Sequence, residues 1–178
     1  MSEARQKMLD SAITLFRQRG VAATSMRDIV EHGNAPRGSI YHHFPGGKEE
    51  LAREATQQAG DFIGSLLTAL AGQDPAAAIE KFVSYWQRSL TDASFVDGCP
   101  VASAALSDEA RSEAGLAFSS WEAALAAGIE ARGVPAARAA SLATLAIASV
   151  EGALLMARAQ RSDEPLRRVG AELRALLA

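Results

Sequence analysis

The chain has 178 residues, 48% of them apolar, and a formal net charge of −3. That is enough apolar material for a real core and enough length for one large or two small domains. One cysteine, Cys99, excludes an internal disulfide and suits a reducing cytosol.

The polar, charged start predicts no cleaved leader, and the longest nearly uncharged apolar run, Ala139–Val150, reads as too short to span a bilayer. The cytoplasm is therefore the expected location. Abundant Ala with modest Val and Ile favours helix over strand. The charge is uneven. Residues 1–53 hold eight Lys/Arg and six Asp/Glu, a balance of +2, and the remainder holds ten and fifteen, a balance of −5. A basic end on an acidic body suits an N-terminal nucleic-acid reader.

Ser2–Arg19 predicts a first helix, with Met8, Ala12 and Leu15 as its stripe and Gly20 as its stop. Thr24–Gly33 predicts a second: Ser25 and Asp28 have capping-box spacing, and Met26, Ile29 and Val30 form an apolar stripe. Asn34 suits a tight turn. Pro36–Phe44 predicts a short third helix with Pro36 in its first turn. Ile40 and Phe44, four apart, make its apolar side, which must dock because so short a helix cannot stand alone. Arg37, Gly38, Ser39, Tyr41, His42 and His43 remain outward, and Gly38 leaves room for another backbone. These groups grip phosphates and touch base edges. Thr24–Phe44 thus has the spacing of a helix-turn-helix with its recognition helix second.

After the break at Pro45-Gly46-Gly47, Lys48–Leu70 predicts a long fourth helix. Lys48 at its start opposes the helix dipole, which fits either a solvated side chain or an external anion, a DNA phosphate, opposite it. Asp74-Pro75 opens a fifth helix, reaching about Leu90, with Ile79, Phe82, Val83 and Trp86 inward. Segment 92–100 reads as irregular. Val101–Leu106, Ser107–Arg132, Ala136–Gln160 and a last helix from Pro165 complete an all-α chain of about nine helices. Expected boundaries are 1–47 for the helix-turn-helix part and 48–178 for a second helical part.

The run TSMRDIVEHGNAPRGSIYHHFPGGKEEL resembles the DNA-binding segment of TetR-family transcriptional regulators over residues 5–53. Phe16, Gly20, Thr24, Ile29, Gly38, Tyr41, His43, Phe44, Lys48 and Leu51 fall in register. Asn34 stands where a turn Gly is usual, Pro36 where a Ser caps the helix, and PGGK is longer than the usual link. GCPVASAAL (98–106) further resembles the subgroup containing regulators of drug- and flavonoid-responsive efflux genes. The resemblance implies a repressor that binds double-stranded DNA at a palindromic operator and is released by a small hydrophobic inducer. Arg37, Tyr41, His42 and the backbone near Gly38, flanked by Pro36 and Ser39, are the expected major-groove set. Thr24, Ser25, Arg27, His43 and Lys48 are the expected phosphate set.

One short recognition helix reads few bases, so a homodimer is expected, built from the two C-terminal helices with Leu145, Leu154, Leu173 and Leu176 in its core. Phe62, Leu66, Phe82, Trp86, Phe95, Phe118 and Trp121 are expected to line an apolar ligand cavity, with Glu151 as a polar contact. Adjacent His42 and His43 point about 100° apart on a helix, so no metal site is expected, and no cofactor. No nucleophile–base pair points to an enzyme. The alternative reading is a helical small-molecule-binding protein without DNA affinity. Retardation of palindromic DNA that fades with salt discriminates the two.

Overall fold

In the computed structural model, which describes residues 2–36, 38–71 and 73–177, several helices begin on a side chain that accepts a free backbone N–H. Nine α-helices and no strand occur among the described residues. Helix α1 (Glu3–Arg19) starts on Ser2, whose hydroxyl accepts from the Arg5 N–H, and ends at Gly20 with φ 87°. Helix α2 (Met26–His32) opens with the full capping box of Ser25 and Asp28. Asn34 follows in the left-handed region at φ 49°.

Helix α3 spans only Ile40–His43. It is shorter than the segment 36–44 because Pro36 opens a turn instead: the Ser39 N–H and hydroxyl both donate to the Pro36 carbonyl, at 3.0 and 2.7 Å. Helices α4 (Gly47–Ala71) and α5 (Pro75–Asp92) follow, the latter capped by Asp74. The Cys99 sulfur caps α6 (Pro100–Ala105), accepting from the Ala102 N–H at 3.4 Å. Helices α7 (Arg111–Glu130), α8 (Ala136–Gln160) and α9 (Glu164–Leu177) complete the chain.

The helices pack as two units. The first takes residues up to Asp61 together with Cys99–Ala117, so it includes α6 and the start of α7 as well as the N-terminal segment. Around α1 gather α2, α3 and α6. Met8, Leu9, Phe16, Ile29, Ile40, Phe44 and Leu51 are its most enclosed large side chains, each contributing about 1.5–3 kcal/mol by leaving water. Gly33 sits where a Cβ would lie 2.9 Å from Ser11 Oγ, so a side chain here would force this approach of the turn to α1 to shift.

The second unit takes Phe62–Gly98 and Phe118–Ala178. Here α9 packs on both α5 and α8. The expected α5 stripe of Ile79, Phe82, Val83 and Trp86 is buried and continues to Leu90. The C-terminal leucines divide differently from expectation. Leu154 and Leu173 lie in the unit's own core, at 2% and 4% exposure, whereas Leu145 and Leu176 are about half exposed, at 47% and 46%. Leu155 and Met156 face solvent too. Helix α8 is apolar on nearly every side, so its sequence does not reveal which leucine turns inward. By length and composition alone α8 could cross a membrane, more than the run 139–150 suggested. Its inward face is a buried stripe from Ala139 to Ala157.

Candidate nucleic-acid interface

The surface around α3 is set by what α3 buries. Ile40 and Phe44 are 1% and 0% exposed. Helical geometry then turns Tyr41 and His42 outward, and Tyr41 is 61% exposed, unusual for a large aromatic with no covering element. His43 is half-buried, its ring edge-on to that of His42 at 5.3 Å. Gly38 is exposed, and a Cβ there would meet nothing within 4 Å. Pro36 is exposed, while the Ser39 hydroxyl is engaged by the Pro36 carbonyl. Arg37 lies outside the described residues.

Arg5 on α1 fixes the far end of α3. Its Nε donates to the His43 carbonyl at 3.3 Å, its Nη2 donates to Glu54 at 2.6 Å, and its guanidinium lies 4.5 Å from the Phe44 ring centre. A cation at the C-terminus of a helix is also favoured by the dipole. Hydrogen bonding to Glu54 raises the Arg5 pKa further. Sequence reasoning missed this residue.

The expected phosphate contacts fare unequally. Ser25 is exposed, but its N–H and hydroxyl both donate to the Asp28 carboxylate, at 2.8 and 2.7 Å. Those bonds hold Asp28 below its usual carboxylate range, with Arg19 at 3.0 Å helping. Arg27 is exposed and pairs with Glu31 at 2.8 Å. Thr24 corrects the expectation. It is 1% exposed and its hydroxyl donates to the Gly20 carbonyl at 2.7 Å, so it builds the start of α2 rather than presenting a donor outward. Lys48 has an internal anion where an external one was expected: its Nζ lies 3.1 Å from Glu109.

The residues expected to line a ligand cavity do not come together around one. In the second unit an apolar cavity is lined by Leu67, Leu70, Gln73, Ala78, Ile79, Phe82, Leu125, Gly128, Ile129, Ala146 and Leu177. Of the eight residues expected, Phe82 alone lines it. Helix α4 turns Ile63, Leu67 and Leu70 inward, which leaves Phe62 at 57% exposure and Leu66 half-buried. Trp86 and Trp121 are 1% exposed and fill their own space, edge-on to Phe82 and Phe118 respectively. Phe95 is half-buried in a turn with φ 63°, and Glu151 is half-buried on α8. The cavity is about 30 Å³, room for a single water and far below the ~300–1,000 Å³ of small-molecule pockets. A groove of about 300 Å³ shares Ile129 and Leu177 with it. Among the described residues no group of three His, Cys, Asp or Glu is placed to hold a metal.

Comparison with known proteins accords with this arrangement. The family described as bacterial regulatory proteins, tetR family, matches residues 8–55, and the Transcriptional regulator LmrA/YxaF-like, C-terminal domain matches residues 75–172. An HTH-type transcriptional regulator of Mycobacterium tuberculosis is 36% identical over 99% of this chain and 95% of its own length. The HTH-type regulator LmrA of Bacillus subtilis is 29% identical, over 92% of this chain and 91% of its own. Among solved structures, a TetR transcriptional regulator from Legionella pneumophila superposes with a TM-score of 0.88 at 26% identity, covering 100% of this chain and 99% of that one. These relatives are regulators, not enzymes. The chain belongs to the TetR family of helix-turn-helix, DNA-binding transcriptional regulators.

Proposed function

We propose that the protein is a ligand-responsive repressor of the cytoplasm that binds a palindromic operator as a homodimer and is released by a small hydrophobic molecule. Residues 1–47 act as the reading head and 48–178 as the ligand-binding and dimerising part. The observation that carries the DNA reading is the outward Tyr41–His42 face on a docked Ile40–Phe44 base, beside open Gly38. Tyr41, His42 and the Gly38 backbone enter the major groove. Ser25, Arg27, His43 and Lys48 hold phosphates, which fix register without reading sequence.

The dimer reading is supported by unpartnered apolar surface on α8 and α9. Leu145, Leu155, Met156 and Leu176 are each about half exposed or more. Leu145 and Leu176 border a groove of about 360 Å³ formed with Ser149, Arg168, Val169, Glu172 and Leu173. A second copy placing the same face there makes a two-fold, four-helix interface. Two heads then read half-sites ~34–36 Å apart, or a multiple of that.

The inducer opens the small apolar cavity beside Phe82, whose lining suits an apolar molecule with few polar groups. Helices α4 and α7 both line the cavity and both continue into the unit that holds α3. A ligand that favours the released state by ~1–3 kcal/mol weakens DNA binding 5–150-fold. The test is selection of DNA from a random duplex pool by the purified protein. A palindrome whose binding falls steeply with salt is expected. No enrichment of any sequence would favour the small-molecule-binding protein without DNA affinity.

A further inference from the structure

We infer that Glu109 tunes the protein's affinity for DNA by competing with a DNA phosphate for Lys48. The inference rests on the reading of Lys48 as a phosphate contact. Lys48 is the second residue of α4, where the helix dipole disfavours a cation. Glu109 supplies the compensating anion at 3.1 Å. It does not arrive there by chance rotation. The Ser107 hydroxyl donates to its other oxygen at 2.9 Å, and its carboxylate is held below the usual range by its own backbone N–H first, then by Ser107 and Lys48. The two side chains are 27% and 33% exposed, so the pair is open to an incoming phosphate on one side.

An ammonium has three donors and could in principle bridge two anions. Bridging would set a carboxylate beside a phosphate, and like charges at contact repel. Phosphate binding therefore displaces Glu109, and the strength of the internal pair is subtracted from DNA affinity. Arg53, on the next turns of α4, is neutralised in the same way by Glu113 at 2.7 Å. Glu113 lies on α7 and Glu109 in the turn leading into it. The same helix continues to Leu125, Gly128 and Ile129 of the apolar cavity.

The experiment compares wild type, Glu109→Gln, Lys48→Ala and the double variant for binding to one duplex selected by the wild-type protein, across a salt series. Glu109→Gln is isosteric and its site is partly exposed, so the fold is kept. It is expected to bind roughly 1.4- to 5-fold tighter per head, the range covered by a partly exposed ion pair. Its log–log salt slope should stay close to that of wild type, because Lys48 neutralises the same phosphate in both, whereas Lys48→Ala should flatten the slope by about 0.9 per head. Lys48→Ala should bind more weakly than wild type, and Glu109→Gln should have no effect on top of it. If Lys48→Ala weakens binding while Glu109→Gln leaves it unchanged or weaker, Glu109 orients Lys48 rather than competing for its phosphate, and the inference is overturned with the phosphate reading intact. Wild-type affinity in Lys48→Ala overturns both.

Discussion

Two glycines near the recognition helix should separate folding from DNA binding. At Gly33 an added Cβ would lie 2.9 Å from Ser11 Oγ and 3.2 Å from the Ile29 carbonyl, and Ser11 is 5% exposed with little room to retreat. Overpacking of this kind costs about 1–3 kcal/mol. For a protein of this size each kcal/mol moves Tm by about 2–4 °C, so Gly33→Ala should lower Tm by roughly 2–12 °C. At Gly38 the added Cβ meets nothing within 4 Å. Gly38→Ala should therefore unfold within about 2 °C of wild type. If DNA approaches at Gly38 as proposed, that methyl occupies the space a DNA backbone or base edge needs. Losing one such contact costs ~1–3 kcal/mol, a roughly 5- to 150-fold loss of affinity per head. Circular dichroism gives Tm, and fluorescence anisotropy on a duplex selected by the wild-type protein gives affinity. Wild-type affinity in a normally folded Gly38→Ala variant would show that DNA does not approach closely at this position.

Leu145→Glu or Leu176→Glu, at half-exposed sites, should split the dimer in light scattering while helicity is retained; Leu173→Glu, at a 4% exposed site, should unfold the chain because it buries an unpaired charge. Arg5→Ala removes the bonds to His43 and Glu54 and the stacking on Phe44, and should cost about 1–3 kcal/mol of stability and weaken DNA binding in the same assay; Arg5→Lys should not restore it, since lysine lacks the planar fork. Asp28 is held below its usual carboxylate range by Ser25, so its contribution is complete above its unfolded pKa and is lost as pH falls through the lower folded value. Thermal unfolding of Asp28→Asn should therefore fall less steeply than that of wild type between roughly pH 5 and pH 2.

Local signals in the sequence were readable because their physics is local. The Ser25–Asp28 box, the Asn34 turn, the Asp74-Pro75 start and the full span of α8 involve neighbours within four residues or flanking Gly and Pro. The docked side of α3 was readable for the same reason: Ile40 and Phe44 are its two large apolar residues, four apart. What was not readable depends on partners distant in the chain. Arg5 meets Glu54 forty-nine positions later, and Lys48 meets Glu109 across two intervening helices. Neither pair leaves a spacing signature. The expected ligand residues do not gather around the small cavity, for another reason. Helices α4 and α8 carry apolar residues on several faces, so a shift of one residue exchanges Phe62 for Ile63 and Leu155 for Leu154 between solvent and core. Aromatic size drew attention to Trp86 and Trp121, yet large rings that pack well leave no space beside themselves.

The proposed base-reading role of Tyr41 rests on its outward position. Its most direct test measures Tyr41→Ala binding to the selected duplex and to every single-base variant of one half-site. Tyr41 is 61% exposed, so its truncation should leave Tm unchanged. The expected result is weaker binding to the selected duplex, with discrimination lost at one or two adjacent positions by ~1–3 kcal/mol each and kept elsewhere. Wild-type affinity with discrimination intact at every position would contradict the account and place recognition on another surface.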